Sequence, residues 1–496
     1  MHVAERMARR YRGWWIVLPL GLLGLSGCKV GPNYSRPGFS APAAYKQTGA
    51  SSVIAPPPRP QGGAWKPANP SDGMIRGKWW EIYNDARLNQ LEEAVTANNV
   101  QLKQALDNYL AAREEVTAAR ANFFPTVSAN AAISRSRGSY NQPGGIPASN
   151  LQNNVFLLQG QASWEPDFFG RIRRQVEQSQ ASAQVSAATM ADLDLTLHAE
   201  LATDYFELRG LDSEAKLLRD TVADEERQLD LTERLLAGGV DTAVDVAQAQ
   251  TLLDNTRAQL VAVGVARAQY ENAIGTLDNV NLTNFSLAFS PLDLPLPDVP
   301  LGVPSQLLER RPDIAAAERA VDAANAQIGI AISAFYPTIP IVASGGFEST
   351  HPGTWIQGPS SLWSLGAQAA ELLFDAGQRR AFTNIARFQY DALVNGYRNT
   401  VFQAFDDVQN QLSSLQILEQ ESAAEQLAVA SAQHSYDLSN ERFRGGVTTY
   451  LEVLTAEQTL LQDQSTAISI QTNRFAASVG LVRSLGGGWD ATQLPH

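Results

Sequence analysis

The chain has 496 residues, of which 44% are hydrophobic and 18% charged, and its formal net charge at pH 7 is −13. This acidic balance argues against nucleic acid as a partner, because binding phosphates needs a basic face. Beyond the N-terminal segment no apolar run reaches the roughly 20 residues of a membrane-spanning helix, so any membrane crossing must be made by strands.

Residues 1–27 are predicted to be a secretory signal peptide. Four arginines precede an apolar stretch from Trp14 to Leu25, which meets the sequence Leu25-Ser26-Gly27-Cys28. Cys28 is the only cysteine, so it forms no disulfide within the chain, and its position at this junction resembles a bacterial lipobox. The pattern predicts that the Cys28 thiol carries an acyl anchor. In lipoproteins of this type, lysine rather than aspartate at position 29 implies sorting to the outer membrane.

Residues 28–84 are predicted to form an extended, lipidated N-terminal segment. The stretch up to about residue 72 is rich in Pro, Ala, Gly and Ser and has no apolar periodicity. Such a stretch cannot bury a core of its own, although it can lie along one. A second proline-rich segment, residues 281–311, is a linker between two halves of the chain, and residues 486–496 are a C-terminal tail.

The two halves, residues 85–280 and 312–485, are predicted to be a tandem repeat. The sequence Phe123-Phe124-Pro125-Thr126 corresponds to Phe335-Tyr336-Pro337-Thr338, and Gly238-Gly239-Val240 corresponds to Gly445-Gly446-Val447. These landmarks occur in the same order in each half, which is the signature of a repeated structural unit. Each repeat is predicted to be a helix, two strands, a very long helix, a glycine turn and a further helix, which makes the chain an α+β protein.

The long helices are predicted over about residues 171–237 and 378–444. Each segment lacks proline and contains one glycine, and apolar residues recur at spacings of three, four and seven in the first. A helix of this length reaches about 100 Å at 1.5 Å per residue, so we expect packing as a coiled coil or helical tube. An ordinary soluble bundle would explain the helices alone, but not the segments between them.

Those segments alternate apolar and polar residues. Strands are predicted at about 126–135, 155–166, 338–347 and 362–374, each with one apolar and one polar face. This is the length and pattern of an outer-membrane strand, although a soluble sandwich is an alternative. Aromatic residues lie at the strand ends nearest the helices, as in an interfacial girdle; they are Phe123, Phe124, Phe168, Phe169, Phe335, Tyr336 and Phe374.

Four strands cannot close a barrel, and an open sheet edge in lipid leaves backbone groups unpaired at several kcal/mol each. The chain is therefore predicted to oligomerise. Two, three or more copies would satisfy closure, since small membrane barrels begin at about eight strands.

The glycine turns have a structural interpretation of their own. Gly238 and Gly445 are predicted to end the long helices in a left-handed conformation, and Thr242–Asp245 and Thr449–Glu452 have capping-box spacing for the helices that follow. Both turns lie opposite the strands in the repeat, which predicts that together they form one tip of the molecule.

No enzymatic activity is predicted. The five histidines are scattered without metal-ligand spacing, and neither a phosphate loop nor a nucleophile elbow is present. The run Arg310-Arg311-Pro312-Asp313 could suggest a phosphate site, but proline followed by an acid is the signal of a helix start. We therefore expect no cofactor and no metal.

Taken together, the lipobox, Val30-Gly31-Pro32, the duplicated Phe-aromatic-Pro-Thr, the run from Leu307 to Asp313 and the glycine turns resemble the outer membrane factor (TolC-like) family, most closely its NodT-type lipoprotein branch. The resemblance implies a homotrimer with a twelve-stranded outer-membrane β-barrel that continues as a periplasmic α-helical barrel. It implies a passive exit duct for small molecules, partnered by a periplasmic membrane-fusion adaptor and an inner-membrane pump of the resistance-nodulation-division (RND) type.

Two alternatives remain open on the sequence. The outer-membrane component of a one-step (type I) protein secretion system would use the same fold with a different adaptor. A non-conducting lipoprotein scaffold that spans the periplasm would use the helices without a pore, although the polar strand faces argue against it.

The resemblance also assigns site residues. Adaptor contact is implied for two groups of turn residues, Gly239, Val240, Asp241 and Thr242, and Gly446, Val447, Thr448 and Thr449. A channel gate is implied at Leu451, Glu452, Thr455 and Gln458, with Asp245 as the counterpart of Glu452 in the first half. Some relatives have acids, or an acid and an arginine, at the positions of Thr455 and Gln458, so strong ionic ties are not expected there. Glu452 is either part of a carboxylate ring that attracts cations or a first-turn acid favoured by the helix dipole.

Overall fold

The computed structural model describes residues 29–38, 45, 77–139, 152–299, 310–489 and 491–495, so the predicted signal peptide and Cys28 lie outside the described residues. The main elements follow one another in the order α1 (Ala86–Asn98), α2 (Val100–Ala121), β1 (Thr126–Arg137), β2 (Gln152–Trp164), α3 (Arg171–Ala237), α4 (Ala243–Leu277), α5 (Pro312–Ser333), β3 (Ile341–Ser349), β4 (Ser361–Ala367), α6 (Gln378–Arg444) and α7 (Tyr450–Ser484). Among these described residues, no helix is both long and apolar enough to cross a membrane.

The tandem repeat is confirmed by helices of matching length. The helices α2 and α5 have 22 residues each, the long helices α3 and α6 have 67 each, and α4 and α7 have 35 each. Each half therefore contributes one hairpin of a long and a shorter helix. The two predicted strands of each half precede that hairpin, in the predicted order.

The four strands form one antiparallel sheet in the order β1-β2-β3-β4. Leu158 of β2 lies opposite Ala131 on one side and Phe347 on the other, whereas Gln161 lies between Ser128 and Ser344. The register therefore places apolar residues of all four strands on one face and polar residues on the other. Large apolar side chains of this sheet are uncovered in the single chain; Val127, Ile133, Trp363 and Leu365 are each at least 69% exposed.

The strand bounds of the second half differ from those predicted. Regular pairing of β3 begins at Ile341 rather than at about 338, because Pro340 has no N–H to donate to the ladder. Before it, Thr338 and Ala370 form only an isolated bridge. The last strand ends at Ala367 rather than at about 374. The first-half strands extend further into the loop than predicted, to Arg137 and from Gln152, where Ser136 pairs with Asn153.

The chain divides into two compact units, the first of which contains the sheet together with parts of residues 29–37, 109–185 and 317–397. In this unit the N-terminal segment is extended and Arg174 of α3 holds it. The Arg174 side chain is fully buried and donates to the carbonyl oxygens of Val30 and Gly31, both at 3.1 Å, and to Asn33 Oδ1 at 3.3 Å. Gly329 of α5 leaves room for this guanidinium, since a Cβ there would lie 2.7 Å from Arg174 Nε.

The second unit has its main apolar core where α1, the preceding 3₁₀ turn Trp79–Tyr83, α3 and α7 meet. A buried ion pair lies beside this core. Glu92 accepts a hydrogen bond from His198 Nδ1 at 2.5 Å, and the imidazole stacks on Trp80 with ring centroids 4.4 Å apart. Burial lowers the pKa of His198, but its bonds to Asp194 and Glu92 outweigh burial and raise it to about 9. The charged pair fastens α1 to α3.

Candidate functional site at the two glycine turns

The first turn connects α3 to α4 through a complete Schellman motif. The Val240 N–H donates to the Leu235 carbonyl and the Gly239 N–H donates to the Leu236 carbonyl, each at 2.9 Å. The left-handed residue is Gly239, with φ of 72°, and not Gly238 as the sequence had predicted. The helix continues to Ala237, so Gly238 is its cap and the reversal falls one residue later.

The second turn has the same construction. Gly446 has φ of 69° and donates to the Phe443 carbonyl, and Val447 donates to the Arg442 carbonyl, both at 2.9 Å. Gly445 is therefore also a cap rather than the left-handed residue. A Cβ on Gly446 would meet nothing within 4 Å, so the positive φ rather than lack of space requires glycine there.

The two turns differ in how the next helix begins. Thr242 and Asp245 form the predicted capping box at the start of α4: the Thr242 side chain accepts from the Asp245 N–H and the Asp245 carboxylate accepts from the Thr242 N–H. The prediction of a second box was wrong. Thr449 makes no side-chain capping bond, and the Glu452 carboxylate lies 3.5 Å from Arg442 instead.

This difference predicts unequal effects of two equivalent substitutions. Thr242→Ala should destabilise the start of α4 by about 1 kcal/mol, the usual cost of losing an N-cap side chain. Thr449→Ala, its matched control in the other repeat, should cost less than half as much because no capping bond is lost. Amide hydrogen exchange in the first turns of α4 and α7 measures both, and equal losses of protection would contradict the asymmetry.

A small apolar cluster, called here the tip cluster, brings the two turns together. It joins Leu235 and Ala249 of the first hairpin to Phe443, Tyr450 and Val453 of the second. The ring centroids of Phe443 and Tyr450 are 5.4 Å apart, and the two ring planes are inclined at 60°. The predicted adaptor-contact residues of both repeats therefore lie at one end of the second unit.

The outer surface of this end is apolar at the turns themselves. Val240 is 73% exposed and Val447 is 70% exposed, and Val244 on α4 is also exposed. Of the other predicted contact residues, Thr242 and Thr449 are exposed whereas Asp241 and Thr448 are partly buried. Two protruding valines on rigid, hydrogen-bonded turns suit a partner that offers an apolar pocket.

The predicted gate residues are brought together on one side of α7. Leu451, Glu452, Thr455 and Gln458 are all exposed in the single chain, at spacings that place them on adjacent helical turns. Thr455 is turned back on its own helix, where its hydroxyl donates to the Leu451 carbonyl at 2.9 Å. The Glu452 carboxylate is paired with Arg442 across the turn, and such an exposed pair breaks at little cost.

Asp245 is on α4 rather than α7, and it forms an acidic pair with Asp241. The hydrogen bond from Thr242 lowers the pKa of Asp245, whereas burial and the neighbouring Asp245 carboxylate raise the pKa of Asp241. Because its carboxylate is engaged by Thr242, Asp245 closes the turn in this chain.

Sequence reasoning missed a polar cluster between the two hairpins. Glu225 and Gln228 of α3 and Glu457 of α7 are buried just beyond the tip cluster. They occur in long helices where acids and amides are common, so no local pattern marked them. Within the described part of the chain, no group of three or more His, Cys, Asp or Glu residues is arranged to hold a metal ion.

Comparisons with known proteins match nearly the whole chain. The family model "Outer membrane efflux protein" matches residues 91–280 and 303–487. The chain is 31% identical to the probable efflux pump outer membrane protein TtgC of Pseudomonas putida, over 94% of this chain and 93% of that protein. It is 30% identical to the outer membrane protein OprJ of Pseudomonas aeruginosa, over 94% of each. The solved outer-membrane channel OprN superimposes with a TM-score of 0.83 at 29% identity, covering 93% of this chain and 100% of that one.

Proposed function

The chain belongs to the outer membrane efflux protein family, and we propose that three copies of it form a continuous duct through the outer membrane and into the periplasm. The chain is the outer-membrane component of an efflux system, an exit channel for small molecules. The duct is passive, and the energy for export comes from its partner proteins. The tip cluster carries the proposal, because it joins two exposed turns to the start of α7, where Leu451, Glu452, Thr455 and Gln458 form an exposed line at the same end of the unit.

The sheet supports assembly into a closed barrel. Within the described residues of one chain, β1 and β4 each pair with one neighbour only, so both edges of the sheet carry open backbone groups. In lipid each such group costs several kcal/mol unless it is paired. Three sheets joined edge to edge supply twelve strands, an even number within the bacterial range.

The N-terminal contacts support lipidation at Cys28. The next residue, Lys29, lies against Gly170, where a Cβ would be 2.9 Å from the Lys29 Cα, and its amine pairs with Glu177 at 2.8 Å. The Val30 N–H donates to the Phe169 carbonyl at 3.2 Å. The anchor point is thereby fixed beside the junction of β2 and α3, where a strand leaving the lipid becomes a helix. An acyl chain on Cys28 would enter the bilayer at that level.

The turns are the proposed docking site for a periplasmic membrane-fusion adaptor, which links the duct to an RND-type pump. In this proposal Val240 and Val447 insert into the adaptor, and Asp241, Thr242, Thr448 and Thr449 surround them. Leu451, Glu452, Thr455 and Gln458 of three chains narrow the channel behind the turns. Adaptor contact at the turns can then be transmitted to the start of α7 through Tyr450 of the tip cluster.

Photocrosslinking in cells tests the docking site. A photoreactive residue at Val240 or Val447 should capture a periplasmic adaptor, identified by mass spectrometry, whereas the same residue at Val261, which is equally exposed farther along α4, should not. An adaptor of the RND class supports small-molecule efflux. An adaptor that serves an ABC transporter would instead favour protein secretion, and capture of no periplasmic protein would contradict docking at the turns.

A further inference from the structure

Two carboxylic acids are buried opposite one another in the seam between the helix hairpins. Glu225 of α3 is 1% exposed and lies one helical turn from Leu229, which packs on the tip cluster. Glu457 of α7 is 5% exposed and lies one turn from Val453, a member of that cluster. Each acid belongs to a different hairpin, so the hairpins cannot close without burying both.

The acids are incompletely paired. Glu225 Oε1 accepts from the Thr256 hydroxyl of α4 at 2.8 Å. Glu225 Oε2, Glu457 Oε2 and Gln228 Oε1 are buried and make no hydrogen bond within the described residues. The amide nitrogen of Gln228 is used elsewhere, on Asn440 Oδ1 of α6 at 3.3 Å. Buried acceptors without donors are costly, and a proton on either acid would turn one of them into a donor.

Neighbouring charges do not neutralise the pair. Arg257 of α4 is the basic group that acts on Glu225, but its guanidinium is bound to Glu226 at 2.6 Å. Two tyrosines also face the seam, Tyr436 from α6 and Tyr450 from α7. The charged neighbours of Tyr436 include Arg444 and Asp437. The charge that acts on the Glu457 carboxylate is the like charge of Glu225. Two carboxylates therefore share a dry seam without a dedicated cation.

Burial raises the pKa of both acids to about 7. For Glu225 burial outweighs the Thr256 hydrogen bond and Arg257, and for Glu457 the charge of Glu225 adds to burial. The ordinary value of each is 4.5, so between about pH 4.5 and pH 7 the packed seam binds more protons than separated hairpins do. The stability of the packed seam is therefore fully present below pH 4.5 and is lost as the pH rises through 7.

We propose that Glu225 and Glu457 form a proton-sensitive latch that holds the two hairpins of each chain together at the channel entrance. Protonated, the acids are neutral and the seam stays packed; ionised, they repel each other and the hairpins separate. The effect on transport rests on the proposed channel function, since separation at the tip widens the entrance only if the tip surrounds a pore. The periplasm follows the external pH, so the latch would adjust the resting channel to the medium.

Conductance against pH tests the latch in the full-length protein reconstituted in planar bilayers. The open probability of the wild type should rise at least about tenfold between pH 5 and pH 8, because a difference of one pKa unit corresponds to a factor of ten and burial raises the pKa of each acid by more than that. In Glu457→Gln, which mimics the protonated acid, the channel should stay closed at pH 8, and its open probability should no longer depend on pH. Glu233→Gln on α3 removes the same charge at an exposed position and should keep the wild-type profile. An unchanged profile in Glu457→Gln would overturn the latch.

A distance measurement separates the latch from the channel function. Spin labels at exposed Asn255 of α4 and Thr459 of α7 report the separation of the hairpins by electron paramagnetic resonance. The separation should increase from pH 5 to pH 8 in the wild type and stay constant in Glu457→Gln. A distance that shifts with pH in a protein that does not conduct would leave the latch standing and refute the duct. A constant distance in a conducting protein would refute the latch alone.

Discussion

Replacing Arg174 by methionine should largely remove the protein from the outer membrane. The Arg174 guanidinium has no exposed surface and binds Val30 and Gly31 carbonyl oxygens, Asn33 and the Glu177 carboxylate, the last at 2.8 Å. Without it, the half-buried carbonyl oxygens of Val30 and Gly31 lose this donor, and Glu177 keeps only Lys29. A hydrogen bond to a charged group contributes about 1.5–3 kcal/mol, so losing several of them removes a large fraction of the stability of a folded domain.

The measurement combines the amount of protein in the outer-membrane fraction with its thermal unfolding in detergent. Gly329→Ala should produce a smaller loss of the same kind, because its Cβ would lie 2.7 Å from Arg174 Nε. Gly264→Ala is the matched control, since a Cβ on that helical glycine meets nothing within 4 Å. It should be neutral or stabilise by up to about 1 kcal/mol. Wild-type stability in Arg174→Met would show that the N-terminal segment does not depend on this residue.

Replacing Val240 and Val447 together by aspartate should abolish efflux without unfolding the chain. Both side chains are largely exposed, so their loss costs little folding stability. In a docked complex each carboxylate would be buried against an apolar surface without a partner, which costs several kcal/mol. We expect adaptor affinity to fall by at least about a hundredfold, the equivalent of 2.7 kcal/mol.

Adaptor affinity of the purified proteins and drug accumulation in cells measure this effect. Asn255→Asp adds the same charge at an exposed position of α4 away from the turn and should behave as the wild type. The two single variants should lose adaptor affinity equally if both turns contact the adaptor in the same way. Normal affinity in the double variant would place the adaptor contact elsewhere on the helices.

Much of the sheet followed from the sequence because strand faces alternate with period two. The apolar residues Ala131, Leu158 and Phe347 lie on one face of the sheet, because they are directly paired across neighbouring strands. The end of the sheet was harder to predict. Apolar alternation continues through Ala369, but pairing stops because Pro340 interrupts the partner strand, and Glu371 and Asp375 turn to Arg379 at the start of α6.

The turns could be located to within one residue, and the error has a physical cause. A helix that ends before Gly-Gly has two candidates for the left-handed position, and the sequence does not distinguish them. The hydrogen bonds from Gly239 and Val240 back to Leu236 and Leu235 decide it. The missing second capping box follows from competition, since Arg442 attracts Glu452 across the turn.

The sequence could not predict which polar side chains are buried. Whether Glu225, Glu457 or Arg174 is buried depends on which helix faces it, and the partners are distant along the chain. Gly31 and Gly329 illustrate the same limit. A Cβ on Gly31 would lie 2.6 Å from the Gly329 Cα, so the two glycines are required by a close approach that neither sequence neighbourhood reveals.

Single-channel conductance of the purified, reconstituted protein tests the duct itself. The wild type should show rare, small openings if Leu451, Glu452, Thr455 and Gln458 narrow the pore as proposed. The double variant Leu451→Ala and Glu452→Ala should open to a large, sustained conductance. Thr449→Ala should stay near the wild type, because it keeps the backbone bond from the Glu452 N–H to the carbonyl of residue 449 and changes no predicted gate side chain. If the double variant is correctly folded and trimeric in the bilayer and still passes no ions, the chain is a scaffold and not a channel.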